Sequence, residues 1–104
     1  MSKVRTRATT LRLLGAGTLL ANAVPHGVMG LTGQRFPSPF ARPPGVGLSS
    51  PLTNVVWSTA NLAAGALLLR GEVTTPRDRL TVAAGATGMA FFLAHYFGSL
   101  EGER

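Results

Sequence analysis

Three long stretches of the chain contain no charged residue and alternate with shorter polar segments. They are Leu13–Leu31, Leu52–Leu69 and Leu80–Leu100. A helix rises about 1.5 Å per residue, so roughly 20 mostly apolar residues cross the hydrocarbon core of a bilayer. A soluble amphipathic helix would instead carry charges along one face within each stretch. The pattern therefore predicts three transmembrane helices.

Capping signals mark the ends of the second and third predicted helices. Ser50 followed by Pro51 combines an N-cap with proline at the first helical position, and Thr75-Pro76 repeats the combination. Gly71 is a C-terminal stop for the second helix. Because the connection is short, these two helices should form an antiparallel hairpin. The sequence therefore predicts an all-α integral membrane fold with one membrane domain over residues 1–104. The helices are expected at about 10–31, 51–70 and 76–98. A long Pro-rich outer loop at 32–50 joins the first two helices, and an inner turn at 71–75 joins the last two.

The first helix admits a second interpretation. Met1–Arg12 is basic, an apolar run follows, and Ala21-Asn22-Ala23 has the small residues of a cleavage site. That order is typical of a secretory signal peptide. The apolar character resumes at Gly27–Leu31, which favours a retained helix. Both a retained helix and a peptide cleaved after residue 23 remain open from the sequence.

Composition and charge agree with a membrane location. Hydrophobic residues make up 45% of the chain and charged residues 13%, against about a quarter charged in soluble domains. Arg outnumbers Lys nine to one, which favours a GC-rich bacterial source.

The net charge of +6 is concentrated before the first helix and around the inner turn. Cytoplasmic segments are enriched in Lys and Arg. We therefore expect a bacterial inner membrane protein with its N-terminus inside, its C-terminus outside, the lipid bilayer as its partner and no nucleic-acid partner. The basic residues on the predicted inner side are Lys3, Arg5, Arg7, Arg12, Arg70, Arg77 and Arg79.

Three Asn and two His lie inside the apolar stretches. Measured from the inner ends of the helices, His26, Asn54 and His95 reach one depth toward the outer face. Asn22 and Asn61 reach a second depth near the bilayer centre. An unpaired amide in hydrocarbon is costly, so these side chains should face one another rather than lipid.

Two hypotheses account for this polar layer, in which Trp57 is adjacent to Asn54 and Asn61 on one helix face. The first is interhelical hydrogen bonding that fixes how the helices pair. The second is an outward-opening polar chamber that binds a small apolar or amphipathic ligand. Two His at matched depth would also suit the axial positions of a haem b, a weaker variant of the second hypothesis. No metal site is expected because no third ligand reaches that depth.

The outer loop contains the segment Phe36-Pro37-Ser38-Pro39-Phe40. Proline stiffens this backbone and holds the two aromatic side chains four residues apart. Phe36 and Phe40 are therefore candidates for anchors in the headgroup region, or for a lid over the outer polar layer. The two roles are compatible.

The sequence contains no recognisable catalytic constellation. The apolar stretches hold no Asp or Glu to act as a general acid or to orient a base. We therefore expect no enzymatic activity and no catalytic residue. The small-residue run Ala86-x-x-x-Ala90-x-x-x-Ala94 favours close helix packing. The sequence predicts a structural or accessory subunit in a homo-oligomer or a larger membrane complex, with ligand binding as the alternative.

Overall fold

The computed structural model describes residues 6–70 and 73–103. The predicted inner-side residues Lys3 and Arg5, and Gly71 with Glu72 of the inner turn, lie outside the described residues. In the described part of the chain, helices dominate and a small two-stranded sheet joins two of them. The elements in chain order are α1 (Arg7–Leu31), β1 (Phe36–Pro37), β2 (Leu48–Ser49), α2 (Pro51–Leu69) and α3 (Pro76–Glu103).

The helix ends follow their capping residues. α1 begins at Arg7, earlier than expected, because the Thr6 hydroxyl accepts a hydrogen bond from the Thr9 amide. The predicted cap of α2 is confirmed, since the Ser50 hydroxyl accepts from the Thr53 amide. At the start of α3, the Asp78 amide donates to the Thr75 hydroxyl at 3.0 Å. α3 continues past the expected end near residue 98 to Glu103.

α1 is the central helix of the bundle. Its extensive interfaces are with α2 and with α3. α1 runs antiparallel to α2, because His26 meets Asn54 near one end while Arg12 meets Leu68 near the other. It runs parallel to α3. α2 and α3 run antiparallel, as the predicted hairpin requires. Their main contacts are with α1 rather than with each other, so α1 holds the two together.

Small residues bring α1 and α3 close. A Cβ at Gly17 would overlap the backbone oxygen of Val82, and a Cβ at Gly85 would overlap the carbonyl of Leu14. Ala86 also belongs to this contact, since its backbone nitrogen lies 2.7 Å from the Cβ position of Gly17. The backbone of Ala86 therefore lies at the α1–α3 contact, and its side chain is half-buried.

Two of the three helices are long and apolar enough to cross a membrane. These segments are Pro51–Leu69 and Pro76–Glu101, whose most apolar 18-residue stretches have mean hydropathies of 1.3 and 1.4. α1 falls outside this pair, because Asn22, Pro25 and His26 lower its apolar character. By length and composition, the prediction of three spans is supported for α2 and α3.

The outer loop contains a short antiparallel ladder, which corrects the purely α-helical prediction. Phe36 pairs with Ser49 and Pro37 pairs with Leu48. The buried hydroxyls of Ser38 and Ser49 are hydrogen-bonded at 2.6 Å just beside the ladder. The predicted loop is therefore folded against itself at its base rather than extended throughout.

Candidate functional site

A buried hydrogen bond between α1 and α2 lies at the centre of the site. His26 Nδ1 and Asn54 Oδ1 are 2.7 Å apart, and the two side chains are 3% and 0% exposed. The Asn54 Nδ2 group donates to the carbonyl oxygens of Phe36, Ser49 and Ser50 at 3.0, 3.3 and 3.1 Å. One asparagine thus joins α1 to both strands of the loop.

The Asn54 contacts determine the tautomer of His26. Carbonyl oxygens only accept hydrogen bonds, so the nitrogen of the Asn54 amide must face them and its oxygen must face His26. An amide oxygen also only accepts, so Nδ1 of His26 carries the proton in this bond. In the neutral ring, Nε2 then holds a lone pair and acts as an acceptor.

A second polar pair lies one helical turn further into the bundle. Asn22 Nδ2 donates to Asn61 Oδ1 at 3.1 Å, and Asn61 Nδ2 donates to the carbonyl of Trp57 at 2.8 Å. Between the two pairs, the Ser58 hydroxyl donates to the carbonyl of Ala23 at 2.7 Å. The structure brings four of the five predicted polar residues into two interhelical pairs.

His95 does not join them. Its side chain is exposed on α3, on the same outward side as Ala84 and Gly88. α3 instead turns the face that carries Met89, Leu93 and Phe97 toward the rest of the bundle. His26 and His95 therefore do not face one another across a common space, as two axial haem ligands would.

The outer loop covers the His26–Asn54 pair with an aromatic side chain. The Phe36 ring stands edge to face on His26, with ring centroids 5.4 Å apart, and lies 4.5 Å from the Phe97 ring of α3. Phe40 packs edge to face on Trp57 at 5.2 Å, although its own side chain is 64% exposed. Phe36 thus lies against His26, and Phe40 is a surface residue that also covers Trp57.

A cavity of about 150 Å³ lies beneath the loop, beside the two polar pairs. His26 and Trp57 line it from α1 and α2, and Pro37–Pro39 line it from the loop. Among the described residues, Trp57 Nε1 is the one buried side-chain nitrogen or oxygen without a hydrogen-bond partner. Buried polar groups are otherwise bonded in folded proteins, so this N–H needs an explanation.

The α3 wall of the cavity is made by residues that the sequence reasoning missed. They are Met89, Phe92, Leu93, Tyr96 and Phe97. Their spacing, i, i+3, i+4, i+7 and i+8, is that of one apolar helix face. This periodicity could have identified the packed face of α3, whereas the depth of His95 favoured the face that carries His95.

Arg12 has a structural role that the sequence did not reveal. Its guanidinium donates to the carbonyl of Leu68 in the last turn of α2. The last carbonyls of a helix lack partners within the helix and carry partial negative charge. Arg12 therefore caps α2 from α1, in addition to marking the predicted inner side.

The described residues contain no group of three His, Cys, Asp or Glu side chains that would hold a metal ion. Comparison with known proteins finds no matching family model, no matching curated protein and no matching solved structure. The geometry defines a three-helix protein with a polar interhelical core and a small aromatic cavity.

Proposed function

We propose that the chain is an accessory or structural protein of a bacterial cytoplasmic membrane, which acts through contacts between its helices and another transmembrane helix. In this proposal all three helices span the bilayer. The N-terminus lies inside, and the outer loop and C-terminus lie outside, as the distribution of basic residues favours.

The exterior of the bundle supports a lipid environment. Large apolar side chains are exposed on every helix, including Leu31, Leu52 and Phe91 at 79%, 73% and 76%. Soluble monomers seldom expose apolar area on this scale. In lipid the same surface needs no cover.

The polar side chains of α1 support its place as a third span. Asn22 and His26 lower the hydropathy of α1, yet both are bonded to side chains of α2. A polar group inside a membrane is tolerated when another helix satisfies it. The helix that looks least suited to lipid thus has its polar atoms turned to the bundle.

An apolar groove on the bundle surface carries the proposal of a helix partner. It measures about 370 Å³ and is lined by Ala21, Val24 and Pro25 of α1 and by Ala90, Leu93, Ala94 and Phe97 of α3. Ala90 and Ala94 are exposed. Small residues allow a second backbone to approach closely, which is the main source of helix association in lipid.

The test enlarges one groove residue. Ala90→Leu should separate the partner helix and weaken association, whereas Gly88→Leu adds the same side chain at an exposed position with open space around it and should leave association intact. Association is measured by cross-linking in native membranes and by sedimentation of the purified protein. Loss in both assays identifies a homo-oligomer, and loss in membranes alone identifies a larger complex. Equal behaviour of the two variants would rule out this groove as the interface.

A further inference from the structure

We propose that the cavity beneath the outer loop is a binding site for the ring of a phenol, whose hydroxyl bridges Trp57 and His26. This inference is independent of helix association, since it rests on the interior of the bundle and not on its outer surface.

Two polar groups of the cavity, one donor and one acceptor, indicate that the ligand carries a hydroxyl. Trp57 and His26 both line the cavity, and Trp57 Nε1 is a buried donor with no hydrogen-bond partner among the described residues. His26, with its proton held on Nδ1 by Asn54, offers an acceptor at Nε2. The two rings stand edge to face with centroids 6.4 Å apart. A hydroxyl can accept from one and donate to the other, whereas a carbonyl or an ammonium satisfies only one of them.

The apolar walls of the cavity indicate that the rest of the ligand is an aromatic ring. Pro37 and Pro39 of the loop and the aromatic side chains of Phe92, Tyr96 and Phe97 supply flat apolar surface. The hydroxyl of Tyr96 is already bonded to the carbonyl of Gly45 at 2.7 Å, so Tyr96 contributes its ring to the wall. Aromatic rings pack edge to face or offset against one another, and each good pair is worth about 0.5–1.5 kcal/mol.

The volume limits the size of the ligand. Drug-sized ligands occupy pockets of roughly 300–1,000 Å³, but this cavity measures about 150 Å³. An engineered apolar cavity of about this volume takes up benzene. A single six-membered ring with one hydroxyl therefore matches this volume. Phe92 is more than half exposed and marks the mouth of the cavity on the α3 side.

The test uses phenol and toluene on the full-length protein in lipid nanodiscs. Trp57 is the single tryptophan of the chain, so its emission reports directly on the site. Phenol should change that emission saturably, and toluene, which has the same ring without the hydroxyl, should bind about tenfold more weakly, because it leaves the Trp57 donor unpaired.

A variant isolates the hydrogen bond. In Trp57→Phe, equilibrium dialysis should show the affinity for phenol falling about tenfold to that for toluene, while the affinity for toluene is preserved. Phe91→Ala, on the exposed face of α3, should leave both affinities unchanged. Equal binding of phenol and toluene to the original protein would overturn the proposal. So would a non-saturating response, which is the result expected if the cavity holds only water.

Discussion

The hydroxyl of Tyr96 on α3 donates a hydrogen bond to the carbonyl of Gly45, 51 positions away in the outer loop, at 2.7 Å. Gly45 has φ +74°, a left-handed conformation that favours glycine. A Cβ at this position would also lie 2.8 Å from the Tyr96 hydroxyl. The loop and α3 are thus joined at a point that accepts little beyond glycine.

We predict that Tyr96→Phe loosens the outer loop while the helices stay folded. The change removes one hydrogen bond worth about 1 kcal/mol and keeps the ring that packs on Phe92 and Phe97. Hydrogen exchange at the amides of residues 45–47 should accelerate about fivefold, as that free energy implies. Ser99→Ala removes a hydroxyl that bonds only within α3, so it should not alter exchange in the loop. Unchanged exchange in Tyr96→Phe would show that the loop is held by other contacts.

The His26–Asn54 pair should be energetically coupled. Each single change to Ala leaves a buried polar group unpaired and should cost about 1–3 kcal/mol of unfolding free energy in detergent. Asn54→Ala should cost more than His26→Ala, because Asn54 also bonds three loop carbonyls. The double variant should cost less than the sum of the two.

His95→Ala is the matched control for this cycle. His95 is exposed on α3, so its removal should change the unfolding free energy by less than about 0.5 kcal/mol and should add independently to either variant. Strong coupling of His95 to His26 would contradict the arrangement of α3.

Two glycines of the bundle should respond in opposite ways to the same methyl group. Gly17→Ala inserts a Cβ against the backbone of α3 at Val82 and should separate α1 from α3. Overpacking of this kind costs about 1–3 kcal/mol. Gly88→Ala points into open space and should be neutral or stabilising by up to about 1 kcal/mol. Thermal unfolding of both variants in one detergent measures the difference, and equal midpoints would argue against a close α1–α3 contact.

Single cysteines test the orientation in the membrane. The chain has no native cysteine, and Gln34 and Thr74 are both exposed. On intact cells an impermeant maleimide should label Gln34→Cys and should label Thr74→Cys only after the cells are opened. Ser38 is unsuitable because it is buried. Labelling of Thr74→Cys on intact cells would reverse the proposed orientation.

The purified protein should retain α1. Leu13, Ala16 and Ala23 are among the most buried side chains, and α1 supplies the principal contacts of both α2 and α3. Cleavage after Ala23 would leave the other two helices without their main interface. Intact mass spectrometry should therefore find the N-terminal residues, and a chain that begins at Val24 would contradict the bundle described here.

The sequence was most informative where one local rule determines a position. Helix existence followed from charge-free stretches, and the start of α2 followed from Ser50-Pro51, because a cap needs only its neighbours. The depths of Asn22 and Asn61 also follow from a fixed rise per residue, and the structure places the two within hydrogen-bond distance.

The rotation of α3 could not be read in the same way. The face of α3 that carries His95 and the face that carries Met89, Leu93 and Phe97 both have helical spacing. Which of the two packs on the bundle depends on the residues that α1 places opposite them. His95 was expected inside because its depth matches that of His26, but depth does not determine which way a side chain points. The ladder at Phe36 and Ser49 was missed for a similar reason, since it depends on the amide of Asn54 from another element.

The helix that contacts both others is also the first to be synthesised. When α2 emerges from the ribosome, the surface that it needs on α1 already exists, and the same holds later for α3. Neither has to wait for a partner that is still untranslated, and Asn22 and His26 of α1 gain their hydrogen-bond partners as soon as α2 has formed. An order of helices with the central one last would first bring together α2 and α3, whose extensive interfaces are both with α1. The position of α1 in the chain therefore suits stepwise assembly during the insertion that the proposed membrane location requires.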